Sequence, residues 1–338
     1  MTHPKLTFFC ELPTDELTNL FDGRFVIDDL LDLDASLSLG ILDFSEERAK
    51  VVQRLNKAGV PVVAWLLLPE EDGYWFNAGN FEQAAARYVT FKAWTDQYGL
   101  EWTGIGLDIE PNINELRRLA KKEDINPLLK QTFQRFTSKK DFYKAKQAYE
   151  ALVDLIHADG YQVESYQLPL IIEDRKAKAT VIQRTLGLVD IEVDREVLML
   201  YSSFFRPDGA KLLLSYAPDA DSVGVGSTGG GVDIEGMIDV DPLSWEEFSR
   251  DLRICVMQGK PIHVFSLEGC VEQGFLSKLN AFEWDEPVEA PCAATGIRAA
   301  RTGFAAGLWI LERPWVILLT LASIIGLGFL FKQSEKEK

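Results

Sequence analysis

EWTGIGLDIEPN, residues 101–112, is the stretch whose reading decides the fold. With the two-residue period of a β-strand, Gly104, Gly106, Asp108 and Glu110 face one way, while Thr103, Ile105, Leu107 and Ile109 face the other. One face is apolar and suits a covering layer of helices. The opposite face is nearly empty and then acidic. Glycine weakens a strand, so two glycines on the face that ends in two acids predict either room for a ligand or tight interior packing. Pro111 closes the strand just past the acids.

Outward from this strand, LTFFCEL (6–12), SLSLGILDF (36–44), VPVVAWLLLP (60–69), YQVESYQLPL (161–170), REVLMLYSSFF (195–205), SVGVGSTGGG (222–231) and PIHVFSLEGCVEQGF (261–275) read as further strands. Helical patterns separate most of them. SEERAKVVQRLNKAG has Ser45 to cap its start and Gly59 to end it; FEQAAARYVTFKAWTDQYGL, the charged zone 113–159, the segments 171–191 and 207–219, and LSWEEFSRDLRICVMQ supply the others. The acidic stretch FDGRFVIDDLLDLD fits no clear pattern. About eight strands alternating with helices over residues 1–285 predict a (β/α)8 TIM barrel, because closure removes both sheet edges. A doubly wound open sheet is the alternative, weakened because no GxGxxG follows the first strand. In either fold a ligand belongs at the carboxyl ends of the strands, where Glu11, Asp43, Asp108, Glu110, Tyr201 and Glu268 gather. Tyr74, Trp75 and Phe76, in the loop EDGYWFNAGN, line a groove there or cover the barrel top.

Composition narrows the function classes. A net charge of -17 argues against a nucleic-acid partner, and no basic patch is evident. His3, His157 and His263 form no metal-ligand spacing, so no metal and no cofactor are predicted. Cys10, Cys255, Cys270 and Cys292 are too sparse for a disulfide framework and read as free thiols. The loop GSTGGG lacks the GxxxxGK[ST] arrangement of a phosphate cradle.

Two acids two residues apart on a strand lie roughly 6.5 to 7 Å apart at Cα, on the same side. In a pocket with little water, double ionisation is costly and one acid retains a proton near neutral pH. A proton on one and charge on the other is what glycosidic cleavage requires: an acid for the leaving oxygen and an anion for the oxocarbenium-like centre. A structural pair completing salt bridges is the alternative.

TGIGLDIE resembles the fourth-strand signature DGxDxDxE of the chitinase-like family of glycoside hydrolases, which are (β/α)8 barrels. The resemblance puts Glu110 on the family's general acid and Asp108 on the aspartate that orients the substrate's 2-acetamido group. MLY, Met199 to Tyr201, resembles the sixth-strand MxY, which implies that Tyr201 contacts the reacting acetamido group. Thr103 and Gly106 replace two aspartates of the pattern, the third-strand serine and glycine motif is absent, and Glu268 stands where a stacking tryptophan is expected. These departures leave open a retaining arrangement with Glu110 as acid/base and Glu268 as nucleophile across the barrel. Trp65, Trp75 and Tyr201 are the aromatics that would stack on a sugar or simply pack, and Glu11 is a further substrate-binding candidate.

The expected function is cleavage of a glycosidic bond in a saccharide or glycolipid. The alternative is an inactive barrel that serves as a membrane-anchored carbohydrate-binding or scaffold module. A third reading is a metal-assisted lyase or hydrolase using Asp43, Asp108 and Glu110. Beyond the barrel, residues 286–314 read as a linker with a short interfacial helix. The uncharged run WVILLTLASIIGLGFLF, 315–331, reads as a transmembrane helix anchoring the chain in a lipid bilayer, and 332–338 as a polar tail. No secretory signal opens the sequence, so the main domain of this single-pass protein is expected in the cytoplasm. No feature of the sequence predicts an oligomeric state.

Overall fold

A computed structural model of the chain describes residues 4–121, 125–232, 240–288, 294–313 and 315. Its strands are β1 (Leu6–Cys10), β2 (Ser36–Ile41), β3 (Val62–Leu66), β4 (Gly104–Ile109), β5 (Val163–Gln167), β6 (Arg195–Met199), β7 (Ser222–Gly226) and β8 (Ile262–Phe265). Each pairs in parallel with its neighbour in sequence, and β1 also pairs with β8, with Phe9 opposite Phe265, so the barrel closes. Alternation along each strand sorts the side chains. Phe8 and Cys10, Leu37 and Leu39, Ala64 and Leu66, Ile105 and Leu107, and Val223 and Val225 face the helices and form the main apolar core. Phe9, Trp65, Tyr166, Val197, Met199 and Phe265 point inward and fill the barrel.

The helices start and stop where local chemistry directs. Ser45 accepts the Arg48 amide at 3.2 Å to open Glu46–Ala58, and Gly59, at φ 86°, ends it in the left-handed conformation. Ser244 and Glu247 form a reciprocal capping box on Trp245–Met257. The segment between β1 and β2, unreadable in sequence, holds helices Thr14–Leu20 and Phe25–Asp32.

The last strand is shorter than expected. It stops at Phe265, and Ser266 accepts the Gly269 amide at 3.1 Å to cap a helix, Leu267–Glu272. Glu268 therefore sits in the first turn of that helix and not on a strand.

The C-terminal part requires a correction. Residues 294–312 form one helix, Ala294–Glu312, packed on Ile171–Ala177 and Gly209–Tyr216. Its Arg301 is buried against protein: Nε meets Glu173 Oε1 and Nη2 meets Asp219 Oδ2, both at 2.7 Å, with the guanidinium 3.6 Å over the Tyr216 ring. A helix with a buried, paired arginine in its middle is built to dock on a protein surface. Among the described residues no helix is long and apolar enough to cross a membrane, and residues 316–331 lie outside them. The transmembrane helix, the bilayer as partner and the single-pass placement are accordingly not retained; the barrel is the part of the expected fold that stands.

Candidate functional site at the barrel mouth

Parallel strands give the barrel two unlike ends. At the amino ends of the strands, the floor, Glu164 reaches Arg195 at 2.7 Å, and His263 Nε2 at 3.4 Å; His263 Nδ1 in turn meets Ser222 Oγ at 2.8 Å. Above this layer lies Tyr166. Its hydroxyl bonds Ser38 Oγ at 2.7 Å, and it occupies the space over Gly106, where an added Cβ would clash with the Tyr166 hydroxyl oxygen. The empty face of β4 is thus filled by a ring from β5, and the room suggested by the glycines is used for packing at that level.

At the carboxyl ends, the mouth, the acids collect. Asp108 is 1% exposed; its Oδ2 accepts the Trp65 indole N–H at 3.1 Å, and its Oδ1 has no partner. Glu110, just beyond β4, is half-buried. Glu11, 7% exposed, accepts the Tyr74 hydroxyl at 2.5 Å. The Glu11 amide donates to Glu268 Oε1 at 3.2 Å, and Glu268 Oε2 is buried without a partner. Sequence reasoning named all four acids; the structure brings Glu11 and Glu268 into direct contact and puts Asp108 and Glu110 within electrostatic reach of Glu11. Among the described residues, none of the four has an arginine, lysine or histidine ion-pair partner, in contrast to the floor.

Burial without a counter-charge disfavours ionisation. It raises Glu110 to about 7. Glu11 is raised to about 8 by burial and by the charges of Glu268 and Glu110, against the Tyr74 hydrogen bond that favours its anion. Asp108 is pushed well above the usual carboxylate range by burial, then by Glu110 and Glu11, and Glu268 is raised by burial. Tyr201, half-buried beside the acids, is raised too, chiefly by burial and then by Asp108 and Glu110, so its hydroxyl keeps its proton.

The aromatic candidates are placed differently from one another. Trp65 is 3% exposed, edge-on to Phe9 at 5.2 Å, and presents its N–H to Asp108. Trp75 is 6% exposed and packs edge-on against Tyr74 at 5.4 Å. Tyr201 lies 5.4 Å from Phe265 at an interplanar angle of 31° and stays half-exposed at the rim. Asp43 is apart from the site. Burial pushes it up, but hydrogen bonds from Ser45 and Thr14 prevail and, with Arg48, hold it at about 2. Among the described residues no group of three or more His, Cys, Asp or Glu side chains is arranged to hold a metal, so the Asp43, Asp108 and Glu110 set is not a metal centre.

Two features escaped sequence reasoning. Tyr74 adopts φ 66°, a left-handed conformation rare outside glycine, and this turns its hydroxyl onto Glu11. Gly230 and Gly231 lie against Glu268, Phe265 and Glu11: a Cβ on Gly230 would come within 2.6 Å of Glu268 Cγ. The only signals were the Gly73-Tyr74 dipeptide and the glycine run itself, neither of which names its contact.

No family model matches the chain, and no curated protein matches it. Several solved structures are similar to it. A GH18 chitinase from Pseudoalteromonas aurantia is 10% identical with a TM-score of 0.47, covering 82% of this chain and 100% of that one. The PgaB (BpsB) glycoside hydrolase domain from Bordetella bronchiseptica is 10% identical with a TM-score of 0.46, covering 84% and 100%. An L-ribulose 3-epimerase is 13% identical with a TM-score of 0.42, covering 93% and 98%. The likeness is one of fold and assigns no chemistry; the chain has a barrel of a kind that often carries enzymes.

Proposed function

We propose that the protein is a glycoside hydrolase-like barrel that cleaves a glycosidic bond, with Glu110 as the general acid. The observation that carries this reading is a half-buried carboxyl raised to about 7 at the barrel mouth, beside an Asp108 whose Oδ1 is buried and unpartnered. A group that binds its proton near neutral pH is matched to giving that proton to a leaving oxygen. As the bond between the anomeric carbon and that oxygen breaks, the proton of Glu110 passes to the departing hydroxyl. Positive charge builds on the sugar and draws Asp108 or Glu268, each raised in the free protein, into its carboxylate form, its proton passing to solvent; that carboxylate offsets the charge. In the retaining arrangement Glu268 bonds to the anomeric carbon as the leaving oxygen departs, and water then breaks that glycosyl ester, its proton passing to Glu110 and the Glu268 carboxylate leaving. Tyr201, with its proton held, serves as a hydrogen-bond donor at the rim.

The resemblance of TGIGLDIE and MLY to the chitinase-like signatures supports Glu110 as the acid and groups Asp108 and Tyr201 with it in one site. The test is a panel of chromogenic glycosides with wild type and Glu110→Gln. Turnover by wild type that the variant lacks, at unchanged thermal stability, is the expected result. Binding of a saccharide without cleavage by either would instead make the barrel a carbohydrate-binding module.

A further inference from the structure

The mouth is unusual in what it lacks. Glu164 on the floor has Arg195, and Glu173, fully buried, has Arg301; the acids of the mouth have no such partner among the described residues. The Tyr201 hydroxyl and the Cys10 thiol apart, the donors present there are already committed. The Trp65 indole serves Asp108 Oδ2, the Tyr74 hydroxyl serves Glu11, and the Glu11 amide serves Glu268 Oε1. In their anionic forms Asp108 Oδ1 and Glu268 Oε2 are acceptors without a hydrogen-bond partner of good geometry, although Cys10 and Ser266 lie near enough to Glu268 to favour its anion. A buried acceptor left unmet costs free energy, and the native site holds two of them on carboxyls that come from different elements.

We infer, resting on the saccharide reading above, that the mouth selects a sugar bearing a free amine, whose ammonium group is received among Glu11, Asp108 and Glu268. An ammonium carries three donors and a positive charge, the complement of unmet acceptors in a site without cations. An acetamido group offers one N–H and a carbonyl that itself needs a donor, and the Tyr201 hydroxyl is the donor left to meet it. A neutral hydroxyl supplies a donor without the charge. The surroundings reinforce the preference. Tyr74, Tyr201 and Cys10 stay protonated and neutral beside the acids. Arg48, the cation whose field reaches Cys10 and Tyr74, is spent on Asp43 and on the carbonyls of Gly40 and Leu12.

This selection has a thermodynamic signature. In the free protein at pH 7, Glu11, raised to about 8, and Glu110, raised to about 7, carry protons for much of the time. An ammonium beside Glu11 favours its anion, so binding releases protons into the buffer, while Glu110 keeps the proton it gives to the leaving oxygen. The experiment is calorimetric titration of the full chain at pH 7, in two buffers of different ionisation enthalpy. The probes are the methyl glycosides of glucosamine and galactosamine, their N-acetylated counterparts, methyl glucoside and galactoside, and cyclohexylamine. The expected result is that one amino glycoside binds at least tenfold more tightly than its N-acetylated and neutral counterparts and releases protons. Glu11→Gln, or Asp108→Asn should that variant fail to fold, lowers the ratio of amino-glycoside to neutral-glycoside affinity most of the way to one, and a ratio left at the wild-type value overturns the amine. Equal or tighter binding of the N-acetylated or neutral glycoside overturns the amine and leaves the saccharide reading standing. Binding of cyclohexylamine as tight as the amino glycoside overturns the sugar, and absence of binding by every probe overturns both.

Discussion

The two ends of one barrel treat the same kind of side chain in opposite ways. On the floor, burial pushes Glu164 up, yet His263 and Arg195 outweigh it and hold the carboxyl below its usual range. At the mouth, Asp108 is equally buried and is pushed well above that range, because its charged neighbours are Glu110 and Glu11. The difference lies in the partner and not in depth. Tyr166 marks the level between them: its hydroxyl reaches down to Glu164 at 3.4 Å, and its ring is edge-on to Phe9 at 4.8 Å. An acid that has been given a cation contributes to the fold, whereas acids kept together without one cost stability and are retained for something else.

The strongest way to break this contrast is at Glu110. Glu110→Gln keeps the shape and removes the transferable proton. Turnover of any glycoside that the wild type cleaves should fall at least about 100-fold, the lower end of what a positioned acid contributes. A steady-state assay with thermal melts alongside decides it, since retained turnover would move the acid role elsewhere in the mouth.

The next effect is a matter of pH. A carboxyl whose folded pKa is raised lowers stability as pH climbs from its unfolded value of 4.5 to about 8. The penalty is absent below that window and complete above it. Glu11→Gln should therefore match wild type near pH 4 and be the more stable protein at pH 9, by at most about 5 kcal/mol and less after local relaxation. Chemical denaturation at both pH values reads it. A variant less stable than wild type at pH 9 would mean that the Tyr74 bond outweighs desolvation, and the mouth would then resemble the floor.

Much of this arrangement was open to reading because it is local. The two-residue period of TGIGLDIE assigns Asp108 and Glu110 to one face whatever surrounds them, and Ser45 and Gly59 mark helix ends through their own backbone chemistry. What escaped depends on residues far apart in sequence. Nothing in β4 says that Tyr166 of β5 fills the gap at Gly106, so ligand space and tight packing stayed equal until the fold chose packing. SLEG alternates like a strand and caps like a helix, and only the Ser266–Gly269 bond decides for the helix. The pairing of Arg301 with Glu173, 128 residues apart, likewise could not be read from the small-residue composition around it.

Tyr166 itself can be tested as the boundary. Gly106→Ala drives a methyl group toward a hydroxyl pinned by Ser38 and enclosed by aromatic edges, so the ring cannot move freely. The expected cost is about 1–3 kcal/mol of stability. A neutral outcome in denaturant titration would show that Tyr166 shifts easily and that the two layers are less separate than drawn.

The smallest effect is expected on the floor. Arg195→Met leaves Glu164 with His263, Tyr166 and a buried environment, which alone would be costly, but Arg195 is 40% exposed and solvent already screens its charge. About 1 kcal/mol is the expected loss at pH 7, well below the cost of breaking a fully buried pair. Its pH dependence has the opposite sign to that of Glu11. A carboxyl with a lowered folded pKa contributes stability that is present above its unfolded value of 4.5 and is lost as pH falls through the folded value. The gap between variant and wild type should therefore close in acid, where Glu164 is protonated in both proteins and no ion pair is left to lose. Denaturation followed from pH 7 down through the pH at which Glu164 takes up its proton separates the cases: a gap that persists in acid belongs to the packing of the arginine stem, and the floor would then owe its acid less to charge than the contrast with the mouth requires.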